Sequence, residues 1–438
     1  MPGLRPLATI TALLALAAPL ASSPGTARAS ASAQDAGALI DNAVPGDIAL
    51  LEAALPTIGD PAQAALLRAA IAAARLDRDT ADQALDIWFA AGDMDPRRGA
   101  IARNLRATVA YAAGDYPRAA DALAHLLALP GVAEGPGAAQ RTAQALELVQ
   151  LLAQAPRQAV LTARPATVRT VRDRAGLIRT AVTVGDRRRM AVLDTGANLS
   201  VISARTARAL HLRMLGGRAS VGSSSATTLP TRVGIAGRVS IAGVTLSNVV
   251  FLVLDERELS FPLPGGYQID MIIGFPVLRA LGTLRFDRAG TLAVGAAAGS
   301  AGNEDNLRAS GNDLYVLGKV NDIATPLHLD TGATHATLSS RFAARNQSML
   351  VGLPRSRRDF TGAGGTRISQ PAVQLKPVVL TLGGQSLALP ALTVATHPAK
   401  GQEEARGLGL IGQNVLRAFD SYTIDFTSMH FALGPPHP

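Results

Sequence analysis

With 438 residues, 48% of them hydrophobic and 17% charged, the chain is long enough for two or three packed domains and too apolar for a disordered polymer. It has no cysteine, which excludes thiol catalysis, disulfides, a cysteine-linked lipid anchor and cysteine-ligated zinc; the histidines form no HExxH arrangement, so neither a metal nor another cofactor is expected. The formal charge of +9 is almost all arginine, the only lysines being Lys319, Lys376 and Lys400, and with 4% aromatics no basic patch interleaved with aromatics points to nucleic acid.

Residues 1–29 read as a signal peptide. Arg5 precedes an apolar run from about Leu7 to Ala21, "ARA" at 27–29 offers small residues for cleavage, and "ASA" at 31–33 lies close by. The run is short for a membrane span, so the expectation is an exported protein, periplasmic or secreted, with no stable membrane insertion after cleavage. An uncleaved anchor is the alternative.

Residues 34–155 form a helical domain by their spacing. Apolar residues recur with helical period in "QAALLRAAIAAARL" (63–76), "TADQALDIWFAAG" (80–92) and "NLRATVAYAAGDYPRAADALAHLLALP" (104–130), separated by breakers such as "GDP" and "GDMDP". Within the last segment, "AYAAGDYPRAADALAHLLALP" resembles a tetratricopeptide repeat (TPR), and "ADQAL" at 81–85 echoes "AADAL" at 119–123. A TPR-like stack would leave a groove for a protein partner; a generic helical packing domain or pro-segment is the other reading.

From about residue 159 the texture turns to short β-branched runs such as "AVTVG", "MAVLD", "RVSIAGVTL", "NVVFLVLD", "PVVLTLGG" and "ALTVAT", broken by Gly, Asn, Asp and Pro. The stretch "VGAAAGSAGNEDN" (294–306) has linker composition and divides this region, giving a first lobe at 159–296, a linker at 297–306 and a second lobe at 307–438. The fold class expected is a helical array followed by two homologous, mainly-β lobes that form a bilobal unit.

The lobes repeat one another in register. Asp194-Thr195-Gly196-Ala197 matches Asp330-Thr331-Gly332-Ala333. Nine residues after each Asp stands a serine, Ser203 or Ser339. "MIIGFPVLRALG" (271–282) matches "GLIGQNVLRAFD" (409–420), and Asp287 and Asp425 share the 138-residue offset of Gly274 and Gly412 (412 − 274). One carboxylate in a turn is commonplace. Two, facing each other across a pseudo-two-fold axis, cannot both ionise readily, so the pair keeps one proton. The ionised Asp can then take a proton from water while the protonated one hydrogen-bonds a carbonyl oxygen. The glycine lets the loop turn tightly and brings its N–H to the carboxylate, and the threonine hydroxyl can bridge to the opposite lobe. The glycine of "IIG" or "LIG" lets a strand pass close beneath the Asp loop.

The DTGA…IIG/LIG…FD arrangement, present twice over residues 165–434, resembles aspartic proteases of the retropepsin-like type, and in particular bacterial exported aspartyl protease family proteins with two fused lobes. The resemblance implies a closed or sandwich-like barrel per lobe, a substrate cleft between lobes, flap hairpins over it, and Asp194 and Asp330 as catalytic residues. Thr195, Gly196, Ala197, Thr331, Gly332 and Ala333 would support the active-site loops, the alanines matching the retroviral branch. The flap windows fall at 220–234 and 359–373, with Ser223, Ser224, Ser225, Gly362, Ala363 and Gly364 at glycine- and serine-rich tips that would bind substrate. Neither flap has the tyrosine of pepsin-like enzymes. His335 is expected to face solvent, the acidic, proline-containing insertion at 255–270 to line a pocket or cover an edge, and Asp287 and Asp425 to be structural strand-end residues.

Two readings follow. In the first the protein is an exported aspartic endopeptidase, a catalytic monomer acting on peptide or protein substrates. In the second it is a non-catalytic peptide- or protein-binding module of the periplasm that retains the acid-protease fold.

Overall fold

Aspartates start most of the long helices. In the computed structural model, which describes residues 35–129, 137–223, 228–261, 263, 265–298, 305–364, 367–399 and 407–437, Asp60, Asp77 and Asp95 each accept a backbone N–H from the first turn that follows. Pro61 and Pro96 occupy the first helical positions, where no N–H is needed. The resulting helices are α1 (Ala36–Asn42), α2 (Ala49–Ala54), α3 (Pro61–Ala74), α4 (Arg78–Ala91), α5 (Pro96–Ala112), α6 (Tyr116–Leu127) and α7 (Ala138–Leu152). The export signal read at 1–29 lies outside the described residues.

Helix α3 packs on α4, α5 on α6, and α6 on α7, so the helical unit is a run of antiparallel neighbours. Small residues set the spacing: Ala65, Ala69, Ala84 and Ala102 surround Leu66, Leu85 and Trp88 in one buried cluster. Arg78, at the start of α4, bonds Asp115 in the α5–α6 turn at 2.6 Å and fixes one hairpin against the next. The echoed segments 81–85 and 119–123 lie on the second helices of two successive hairpins, and each buries the same three positions: Ala81, Ala84 and Leu85 in one, Ala119, Ala122 and Leu123 in the other.

The other compact unit is β-rich, and its first strand begins at Ala159. Alternation shows directly in strand Ile178–Val184, where every second residue is buried. In the first lobe, Met271–Ile273 runs parallel to Arg187–Leu193 and antiparallel to Ser200–Ser203, which in turn runs parallel to Val244–Leu254. The second lobe repeats that pattern: Gly409–Ile411 runs parallel to Leu327–Leu329 and antiparallel to Thr337–Leu338, which runs parallel to Leu392–Ala395. Ser203 and Ser339 begin equivalent short helices, each accepting the backbone N–H three residues on (Thr206 and Phe342).

The lobes form one bilobal unit, as expected, and they share a sheet. Strand Thr283–Asp287 pairs antiparallel with Ser421–Asp425, from Thr283 opposite Asp425 to Asp287 opposite Ser421. Thr291–Val294 and His430–Leu433 flank this pair, and Ala166–Arg172 adds beyond Thr291–Val294. Phe286 stacks on Tyr422 across the seam at 4.7 Å, and Phe275 meets Phe426 edge-on at 5.7 Å. The sequence understated this seam because its strands are short and separated by more than a hundred residues. Asp287 and Asp425 close strand-end turns there, Asp287 accepting from Thr291 and Asp425 from the Thr427 backbone. Of the linker read at 297–306, residues 299–304 lie outside the described part; Asn306 is pinned by a reciprocal pair of hydrogen bonds to Phe431.

Candidate active site

Each parallel strand pair delivers one aspartate to the seam between the lobes. Asp194 follows strand Arg187–Leu193 and Asp330 follows Leu327–Leu329, and both are buried. The Gly196 N–H donates to Asp194 Oδ1 at 2.8 Å; those of Gly332 and Ala333 donate to Asp330 Oδ1 at 3.0 and 2.9 Å. The Asp194 carboxyl lies against Gly332 of the opposite loop, and the Asp330 carboxyl against Gly196. Burial, and then the charge of Asp330, hold the Asp194 carboxyl well above the ordinary aspartate range.

The loop threonines interlock. Thr195 Oγ1 donates to the Leu329 carbonyl at 2.5 Å and accepts the Thr331 N–H at 3.1 Å; Thr331 Oγ1 donates to the Leu193 carbonyl at 2.9 Å and accepts the Thr195 N–H at 3.0 Å. Four buried bonds therefore set the distance between the two carboxyls. Ala197 and Ala333 lie buried just beyond, their carbonyls accepting the N–H groups of Phe275 and Gln413.

The glycines are needed for a reason the sequence reading missed. Neither Gly196 nor Gly332 has a left-handed φ. A Cβ on Gly196 would stand 2.7 Å from the Asp330 carboxyl, and one on Gly332 2.3 Å from that of Asp194, so each glycine makes room for the opposite acid. Gly274 and Gly412 do lie against the Asp loops as expected: a Cβ there would meet the Ala197 carbonyl at 2.6 Å and the Ala333 carbonyl at 2.9 Å.

The flap windows fold as hairpins, Ala219–Val221 with Leu229–Ile241 and Arg355–Thr361 with Arg367–Leu375. The two hairpins touch where Ser223 Oγ donates to the Ala363 carbonyl at 2.6 Å. Gly362 and Ala363 are buried, and the Gly364 N–H donates to the Glu258 carbonyl at 2.9 Å. The insertion at 255–270 thus holds the second flap, while Leu259, Phe261, Tyr267 and Ile269 anchor it in the first lobe. Ser224 and Ser225 lie outside the described residues.

Several residues that shape the site carried no recognised signal. Gln413 stands where the first lobe has Phe275; its amide donates to the Thr331 carbonyl at 2.7 Å and accepts from Arg172 at 2.7 Å. The polar residue at an apolar position of the repeat was the available clue. Asn312 donates to the Asn198 carbonyl at 2.7 Å, a further tie between the lobes. The Ser200 hydroxyl accepts the Gly274 N–H, whereas Ala336 stands at its counterpart and donates its N–H to Asn414. His335 is exposed, as expected. Among the described residues, no group of three or more His, Asp or Glu is disposed to hold a metal ion.

Comparison with known proteins agrees with the duplication. A family described as aspartyl protease matches twice, over residues 180–277 and 316–415, once in each lobe. A solved structure of a retropepsin-like aspartic protease from Rickettsia conorii matches at 16% identity with a TM-score of 0.21, over 32% of this chain and 94% of that one. No curated protein matches. The helical region is thus followed by two mainly-β lobes that repeat one another, each similar to the aspartyl protease family.

Proposed function

We propose that the protein is an exported aspartic endopeptidase. The observation that carries this reading is the pair of buried carboxyls facing each other at the lobe seam, one of them held well above the usual aspartate range. In the proposed reaction the ionised Asp takes a proton from a water molecule, whose oxygen attacks the peptide carbonyl. The protonated Asp donates to the carbonyl oxygen, giving a gem-diol; the shared proton then passes to the departing amine as the C–N bond breaks. The pair titrates as a unit, so the two roles belong to the dyad rather than to fixed residues. Export rests on the signal-like sequence at 1–29.

Asp194→Asn and Asp330→Asn, made separately and tested for peptide hydrolysis, are each expected to lower kcat by at least about a thousandfold, in line with the loss of an essential acid–base group. Near-native turnover by either folded variant would defeat the mechanism. Peptide binding by the wild type without turnover would favour the non-catalytic binding reading. For the helical unit we propose either inhibition of the protease or recruitment of a protein partner. Comparing the intact chain with residues 159–438 on a peptide library separates these, because removing an inhibitor raises activity, whereas removing a docking arm changes specificity. Equal activity and specificity defeat both.

A further inference from the structure

Guanidinium groups sunk into this protein commonly have carboxylate partners. Asp173 holds Arg179 at 2.6 Å, Asp93 and Asp35 hold Arg98 at 2.5 and 2.6 Å, and Asp305 holds Arg308 at 2.5 Å. Arg358 breaks the pattern. It lies on the second flap strand, Arg355–Thr361, opposite Gln370. Alternation along the strand puts Arg357, which bonds Ser369, on one face together with Asp359, and Arg358 with Phe360 on the other. The Arg358 guanidinium lies 4.6 Å from the Phe360 ring centre. Among the described residues, no carboxylate lies within ion-pairing reach of it.

Burial pushes the Arg358 guanidinium down to about 10. Phe360, on the same face of the strand, is buried, so Arg358 stands on the inward-turned face of the flap. The second flap therefore presents, on its inward face, a cation with no carboxylate partner among the described residues.

We propose that Arg358 is a specificity-determining residue that selects substrates carrying an Asp or Glu side chain under the second flap. The inference rests on the endopeptidase reading. A planar guanidinium bonds a carboxylate with two parallel N–H groups, and a partly desolvated setting strengthens that bond. Replacing the carboxylate by its amide isostere leaves the cation buried without a counter-charge, so discrimination comes from both the bond gained and the penalty avoided.

The test uses the full-length protein and C-terminally amidated peptide pairs that differ only by Glu or Gln at one position, scanned across the sequence and scored by kcat/KM. Amidation leaves the side chain as the only variable carboxylate. The wild type is expected to favour Glu by about tenfold or more at one subsite, the size of a bond to a charged group. In Arg358→Gln the ratio at that subsite should fall toward one, and Arg358→Glu should favour Lys there. A wild-type ratio near one at every subsite overturns the proposal, as does an undiminished ratio in a folded Arg358→Gln. Should the wild type cleave no peptide, the endopeptidase reading fails on its own. The same pairs are then titrated for binding, and equal Kd values for Glu and Gln peptides overturn the role of Arg358.

Discussion

Asp194, in its pair with Asp330, carries a pH dependence that a single substitution can read. Unfolded, its carboxyl ionises near the ordinary value of 3.8; folded, burial and Asp330 hold it higher. Between those values the folded state binds more protons than the unfolded one, so stability falls as pH rises through that window. The contribution is full below about pH 3.8 and is lost as pH climbs through the folded value. Asparagine has no such titration. The Tm of Asp194→Asn minus that of the wild type should therefore grow steadily more positive above about pH 4. A difference that stays constant across the acidic and neutral range would remove the proton-holding role assigned to this side chain. Gly332 teaches a related lesson at the same scale. Its place in DTGA was plain from the sequence, but its reason was not, because the atom it makes room for belongs to an aspartate 138 residues away (332 − 194).

At the scale of elements, the two Asp loops act as one interlocked part. Thr195→Val keeps the shape but deletes the donor to the Leu329 carbonyl and the acceptor for the Thr331 N–H, leaving two buried backbone groups unpaired. At about 1–3 kcal/mol for each orphaned group, the loss should total about 2–6 kcal/mol in denaturant unfolding. Thr195→Ser keeps the hydroxyl and should recover most of it. If valine and serine cost the same, the hydroxyl bridge is not what joins the loops. The strands that carry these loops were legible because β-branched runs such as "MAVLD" and "NVVFLVLD" alternate with turn residues, and the helices because alanine and leucine recur with helical period. The two flap hairpins fell where the spacing from each Asp put them. Gln413 was not legible, because its role depends on Arg172, which comes near it only after folding, and Arg358 was not, because its strand partner Gln370 and the buried face it shares with Phe360 appear only in the folded hairpin.

At the scale of the molecule, the two β lobes are stabilised as one body, because the sheet that crosses the seam belongs to both. Strand Thr283–Asp287 has Thr291–Val294 of its own lobe on one side and Ser421–Asp425 of the other lobe on its second side. Unfolding either lobe alone would strip that strand of half its hydrogen bonds and expose Phe286 and Tyr422 together. Neither lobe can open without charging the other for the loss of backbone pairing. Tyr422→Ala removes the ring stacked on Phe286 and should cost about 3–5 kcal/mol, as large-to-small changes at buried aromatics do. Because the loss is shared, amide exchange should speed up by a similar factor at sites far from the seam in both lobes, such as Val249–Leu254 in the first and Leu392–Ala395 in the second. Faster exchange confined to the second lobe would mean that the halves unfold independently. The seam would then align the two aspartates without binding the lobes into a cooperative unit.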